Sequence, residues 1–279
     1  MSLTTRRRPV RASTVAKNVI AWGLSAFMLT PLLVIVMTSL KSKADAQSMS
    51  LSLPKNWDLS TFSTVIQQGK LVDGFLNSLL YAGLGTVLTV LLAAMAAYMF
   101  SRRRTRANNA LYMFMVMGIV LPINYVALMK VMQTLQLNNT RPGIVLLYSA
   151  IQLPFMVFLM YGFVARIPRD LDEAAVIDGC GPIRLFFLII LPLMKPALIT
   201  AGVLCFLNMW NEFILPLYFL NSSDKWPMTL AVYNFFGQYQ TQWNLVAADV
   251  LLTSLPVVIM YLFAQKYIVG GQTAGAVKG

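Results

Sequence analysis

Residues 170–192 read DLDEAAVIDGCGPIRLFFLIILP, a turn-rich stretch with mixed charge between two long apolar runs. Its spacing is Glu173-Ala174-Ala175, three residues, Gly179, nine residues, Ile189, one residue, Leu191-Pro192. Asp170 is a good N-cap, and Glu173 follows three residues later in a capping-box position. Asp170, Asp172 and Glu173 put negative charge in a first turn, where the helix dipole favours it. Gly179, Gly181 and Pro182 stop the helix. The pattern predicts a short helix over Leu171–Asp178, with Leu171, Ala174, Ala175 and Asp178 on one face. Two alanines there permit close backbone approach to another surface, and Glu173 can reach a basic group.

The segments on either side decide the fold class. The chain is 58% hydrophobic and 11% charged, where a soluble domain carries about 25% charge. A spanning helix needs roughly 20 mostly apolar residues. Uncharged windows of that size run over 18–40, 74–101, 107–129 and 142–165. A fifth span lies within 191–215, with Lys195 near one end and Glu212 near the other. A sixth covers about 245–265, with Asp249 placed at the membrane boundary. The window 226–248 fails as a span because it holds Asn234, Gln238, Tyr239, Gln240, Gln242 and Asn244; it reads as an external loop with an interfacial helix. The expectation is an all-α membrane protein with six transmembrane helices.

Lys and Arg asymmetry sets the orientation. With the N-terminus inside, Arg6, Arg7, Arg8, Arg11 and Lys17 are cytoplasmic, as are Arg102, Arg103, Arg104, Arg106, Arg166, Arg169, Arg184 and Lys266. The outside receives Lys41, Lys43, Lys55, Lys70, Arg141 and Lys225, and marginally Lys130. Both termini and the 166–192 loop then face the cytoplasm. The resulting division is a basic N-terminus over 1–17, a first span over 18–40, an external loop over 41–73, a five-span core over 74–265 and a cytoplasmic tail over 266–279. The Arg-rich start and Ala44-Asp45-Ala46 imitate a cleaved signal. A signal's apolar region is about 7–15 residues; this run is longer, which favours an uncleaved span.

Several function classes are excluded. The net charge of +12 sits beside apolar runs, as topology demands, and no aromatic-basic recognition motif accompanies it, so no nucleic-acid partner is expected. With no histidine, neither His-based catalysis nor a His zinc site is available. Cys180 and Cys205 read as lone reduced cysteines. A phosphate-binding G-x4-GK-[ST] loop is absent; Gly69-Lys70 lacks the upstream Gly and the following Ser or Thr.

The spacing over 173–192 resembles, position for position, the signature of permease subunits of binding-protein-dependent ABC importers. The likeness extends over nearly the whole chain. Asn77-Ser78, Ala93-Ala94 and Ala96-Ala97-Tyr98 are similar to the start of such a permease core. Trp210-Asn211-Glu212-Phe213 and the terminal Gly275-Ala276-Val277-Lys278-Gly279 are similar to the carbohydrate branch, and within it to the smaller, maltose-type second permease subunit. The resemblance implies a type I importer permease fold in a bacterial cytoplasmic (inner) membrane. It also implies a coupling role for Glu173, Ala174, Ala175, Asp178, Gly179, Ile189, Leu191 and Pro192. The implied partners are a second homologous permease, a dimer of ATPase subunits, an extracytoplasmic solute-binding protein and a sugar-type substrate. ATP and Mg are implied only in the ATPase, with no cofactor in this chain, and the C-terminal tail is implied to reach toward that dimer.

Polar residues inside apolar spans are costly and tend to face cavities. Candidates for a substrate path are Asn124, Tyr125, Asn208, Trp210, Asn211, Glu212 and Tyr218. Trp210 and Tyr218 equally suit an interfacial aromatic belt, and Asn208 a bridge between helices. A glycerol-phosphate ester is the alternative cargo. An ion-coupled secondary transporter is the rival from another class; it needs midplane carboxylates, and the only acids near spans are Glu212 and Asp249.

Overall fold

The computed structural model describes residues 12–236 and 241–276, with side chains over 15–263 inside those bounds and at 265. The arginines up to Arg11, the polar Gln238, Tyr239 and Gln240, and the final Val277-Lys278-Gly279 lie outside the described residues. Helices follow one another as α1 (Ala12–Ser39), α2 (Ser60–Gln68), α3 (Leu71–Arg102), α4 (Arg106–Val120), α5 (Tyr125–Thr134), α6 (Arg141–Val164) and α7 (Asp170–Ile177). Then come α8 (Pro182–Leu185), α9 (Leu191–Leu193), α10 (Lys195–Trp210), α11 (Ile214–Phe219), α12 (Met228–Ala231) and α13 (Trp243–Ala276). The only β pairing among the described residues is an isolated bridge between Phe236 and Thr241.

Four helices are long and apolar enough to cross a membrane alone, within α1, α3, α6 and α13. The third and fifth windows are each broken. Arg106–Val120 and Tyr125–Thr134 meet at 117°, and Pro182–Leu193 and Lys195–Trp210 at 77°. Pro122 removes a backbone N–H at the first break, and Asn124 starts a new helix by accepting from the Ala127 N–H at 3.0 Å. Pro192 and Pro196 flank the second break. Thr105 and Thr140 likewise cap α4 and α6, accepting from the N–H groups of Asn108 and Gly143 at 3.2 and 3.0 Å.

The chain forms two compact units. One comprises residues up to Val65 with Phe235–Leu251, the other Ile66–Asn234 with the chain from Leu252. In the first unit Lys41, 1% exposed, donates to the Ser50 carbonyl at 2.6 Å and to the hydroxyls of Ser50 and Ser52 at 3.2 and 3.1 Å. Those neutral acceptors stand in for water around its ammonium group. Asp249 lies in the second turn of α13, near one end of its apolar stretch, and is 1% exposed.

The second unit is organised around α3, which packs chiefly against α6 and α10. In a lipid environment, close packing rather than water exclusion holds helices together, and small residues allow it. Ala82, Ala93, Ala94 and Ala97 of α3 are fully buried, as are Met156, Val157, Met160 and Val164 of α6. A Cβ on Gly85 would stand 2.7 Å from the Met209 sulfur, so the bare backbone there leaves room for that side chain of α10. Gly83, by contrast, faces open space.

The first turns of α3 hold the segment before α12. Asn77 Nδ2 donates to the carbonyls of Asp224 and Trp226 at 2.9 and 3.1 Å, and Tyr81 Oη to that of Lys225 at 2.8 Å. The Met228 N–H donates to Ser78 Oγ at 2.8 Å. Arg141 donates to Asn77 Oδ1 and the Asp224 carbonyl, both at 3.3 Å. Asn77 and Ser78 are thus occupied with the backbone of this loop.

Candidate functional site

The 166–192 loop builds its helix one residue earlier than its sequence pattern suggests. α7 covers Asp170–Ile177, and Asp170 is inside it. No side chain caps it; the Arg169 carbonyl accepts from the N–H groups of Asp172 and Glu173 at 2.8 and 3.1 Å. The capping box assigned to Asp170 and Glu173 is therefore not formed. The first turn closes on backbone alone, and the three acids remain in it.

The other end follows its chemistry closely. Gly179 has φ +77°, its N–H reaches the Val176 carbonyl at 3.0 Å, and the Cys180 N–H reaches that of Ala175 at 2.9 Å. This is a Schellman ending, which needs a left-handed residue and favours glycine. Nothing lies within 4 Å of where a Gly179 Cβ would be, so only the dihedral demands glycine here.

Exposure divides the signature residues. Ala175 is buried, Ile189 and Leu191 are half-buried, and Glu173, Ala174, Asp178, Gly179 and Pro192 are exposed. The face expected for close approach is split, because Ala175 seats on this chain. Ile177 stands out at 85% exposed, and Val176 and Ile183 are 61% and 74% exposed. Past Gly181 the chain enters α8, then a π-helical turn over Phe186–Ile190, where the Leu191 N–H bonds to the Phe186 carbonyl. Ile189 lies within that turn, and π turns are rare and recur at functional sites.

α7 is tied to the last turn of α3. Asp172 Oδ1 accepts from Tyr98 Oη at 3.0 Å, and its Oδ2 forms an ion pair with Arg102 Nη2 at 2.8 Å. Arg102 Nη1 donates to the Ile167 carbonyl at 3.1 Å, and Arg169 Nη2 to that of Ser101 at 3.3 Å. The sequence marks each of Tyr98, Arg102 and Asp172 for another reason but does not pair them, because Tyr98 and Asp172 lie 74 positions apart.

The substrate-path candidates separate. Asn124, Tyr125 and Tyr218 meet, with Lys130 and Gln133, around an open cleft of about 640 Å³. The Tyr125 and Tyr218 rings are 5.4 Å apart. Trp210 is 3% exposed, packed against Phe75 and Phe206 at 5.7 and 5.5 Å between ring centres. It takes no place in the cleft or in an exposed belt. Glu212 Oε1 accepts from the N–H groups of Ile214 and Leu215 at 2.8 and 3.1 Å, capping α11. Asn211 donates to the Leu207 carbonyl at 2.8 Å, and Asn208 is exposed elsewhere. Among the described residues no cluster of three or more His, Cys, Asp or Glu could hold a metal.

Residues 85–270 match the family of binding-protein-dependent transport system inner membrane components. The diacetylchitobiose uptake system permease protein of Streptomyces coelicolor is 33% identical over 90% of this chain and 84% of its own length. A probable starch degradation products transport system permease protein of Thermoanaerobacterium thermosulfurigenes is 34% identical, over 91% and 93%. The melibiose/raffinose/stachyose import permease protein of Bacillus subtilis is 32% identical, over 89% and 91%. Among solved structures, a chain of a bacterial ABC transporter involved in import of the acidic polysaccharide alginate superimposes with TM-score 0.79, covering 94% of this chain and 99% of that one. At 23% identity this likeness speaks for the fold.

Proposed function

The chain belongs to the family of binding-protein-dependent transport system inner membrane components, and from that premise we propose that it forms half of the path for a sugar or oligosaccharide. A solute-binding protein delivers the cargo, a second homologous permease supplies the other half, and two ATPase subunits bind ATP and Mg. In this reading α7 and both termini face the cytoplasm, and Val176 and Ile177 enter a cleft on the ATPase while Glu173 meets a basic group there. The observation that carries the coupling role is the short, Gly179-terminated helix presenting an exposed apolar tip between two membrane-directed segments. The names of the relatives support the sugar, and the Tyr125–Tyr218 pair beside the cleft suits a sugar's apolar face.

The test is a reconstituted complex assayed for uptake and for ATP hydrolysis stimulated by loaded binding protein. Gly179→Val and Glu173→Lys are expected to insert normally while both activities fall. Normal stimulation and uptake in both variants would show that α7 is ordinary surface. A panel of labelled saccharides and a glycerol-phosphate ester decides the cargo: stimulation by the ester alone transfers the function to that alternative. A stable, transport-competent homodimer isolated without any ATPase would turn the reading to a secondary transporter.

A further inference from the structure

We propose that Tyr98, Arg102 and Asp172 form a strut that carries movement of α7 into the helix bundle. These are positioning residues outside the signature, and the proposal rests on the reading of α7 as the ATPase contact. Of the eight residues of α7 only Ala175 is buried. At about 100° per residue, Asp172 lies within roughly 60° of Ala175, whereas Ala174 and Ile177 lie on the far side. The inner side of the helix therefore holds the buried Ala175, the Asp172 carboxylate and Leu171, which is 40% exposed. A load applied at Ile177 therefore meets this chain at Ala175 and at that carboxylate, the one charged group on that side with a partner on α3.

The carboxylate is held by a hydrogen bond at Oδ1 and by charge alone at Oδ2, where the 2.8 Å approach of Arg102 lacks hydrogen-bond geometry. Oδ1 takes the Tyr98 hydroxyl at 3.0 Å and Oδ2 lies 2.8 Å from Arg102 Nη2, with side-chain exposures of 13% for Arg102 and 16% for Asp172. Arg102 also reaches the Ile167 carbonyl, and Arg169 reaches back to Ser101, so links run in both directions. The Arg102 guanidinium lies 5.9 Å over the Tyr98 ring, which fixes its approach. Arg102 ends α3, where the helix dipole favours a cation, and Asp172 is in the first turn of α7, where it favours an anion. Removing one member of a shielded pair leaves the other uncompensated. Since α6 and α10 both pack on α3, displacement of its last turn reaches the two helices that surround it.

Asp172→Asn keeps the size and an acceptor for Tyr98 but removes the charge; Asp172→Glu restores it. Each is reconstituted with its permease partner and ATPase, and the ratio of stimulated to basal ATP hydrolysis is measured per assembled complex, beside uptake. Asp172→Asn is expected to lower the ratio roughly 5- to 150-fold, the span of ordinary coupling strengths, with recovery in Asp172→Glu. A plain anchor would lower the yield of complex and leave the ratio unchanged, and that result overturns the proposal. Gly179→Val is run in parallel. If it uncouples and Asp172→Asn does not, the strut alone falls. If neither changes the ratio, the coupling reading of α7 falls as well. Should Asp172→Asn fail to assemble, Tyr98→Phe deletes one hydroxyl and spares the ion pair. It should lower the ratio less than loss of the charge does, and an unchanged ratio overturns the strut.

Discussion

Gly179 shows how a single dihedral can carry a site. Its Cβ would meet nothing, so crowding is excluded and the whole constraint is φ +77°. For an L-residue the left-handed region costs roughly 1–2 kcal/mol, least for Asn and Asp. Gly179→Asn is therefore expected to keep the Schellman ending and near-normal stimulated ATP hydrolysis, while Gly179→Val, β-branched, loses it. Equal behaviour of the two variants in the reconstituted assay would show that the helix end does not matter for coupling. Glu173 presents a different case. It is exposed and caps nothing, because the Arg169 carbonyl receives the first N–H groups. Loss of function on changing Glu173 would accordingly report its contact with a partner, with helix stability altered only by the dipole contribution of about 0.3–1 kcal/mol.

Among the elements, α6 depends on a tight start. A Cβ on Gly143 would overlap the Leu137 carbonyl oxygen and come within 2.7 Å of the Thr140 hydroxyl that caps the helix. Gly143→Ala is expected to cost about 1–3 kcal/mol as overpacking, read as a lowered Tm of the purified complex; an unchanged Tm would mean the turn before α6 yields freely. The sequence makes the long elements plain because apolar length is a local property: the windows for α1, α3 and α6 end within a few residues of the helices. Prolines alone do not mark the bends: Pro122 stands at one, whereas Pro154 and Pro256, equally able to break a helix, lie inside α6 and α13. Pro122, Pro192 and Pro196 are compatible with a kinked helix or a fresh first turn, and only packing chooses the 117° and 77° angles. The Gly179 ending was legible because glycine's dihedral freedom is intrinsic. Trp210 was not, since an indole suits a core, a belt or a ligand cleft equally. The Asp172–Arg102 tie joins helices that no local pattern connects.

For the whole molecule, side-chain ties decide how many times the bent pairs cross. Arg102 and Asp172 touch, so they lie on the same side of the membrane. Between them the chain passes through α4, α5 and α6. Since α6 crosses once, the bent α4–α5 pair must cross once too, rather than dip in and return. The same logic applies at the other face. Arg141 at the start of α6 contacts Asn77 and the Asp224 carbonyl, and Asn139 Nδ2 donates to Ser222 Oγ at 3.1 Å. After α6 has crossed, the chain must cross back before residue 222, which makes the segment from Pro182 to Trp210 a single span. Together with α1 and α13 the count is six. Within the second unit the side carrying Arg102, Arg103, Arg104, Arg106, Arg166, Arg169 and Arg184 has more Lys and Arg than the one carrying Lys70, Lys130, Arg141 and Lys225, and this asymmetry favours the first side as the cytoplasmic one. Reporter fusions after Arg106, Gly181 and Lys278 are therefore expected to read cytoplasmic, and those after Asn56, Asn138 and Ser222 external. Opposite readings at Arg106 and Gly181 would contradict the Arg102–Asp172 contact itself. A joint inversion of those two would keep the fold but remove α7 from the ATPase's side, and the coupling role would go with it.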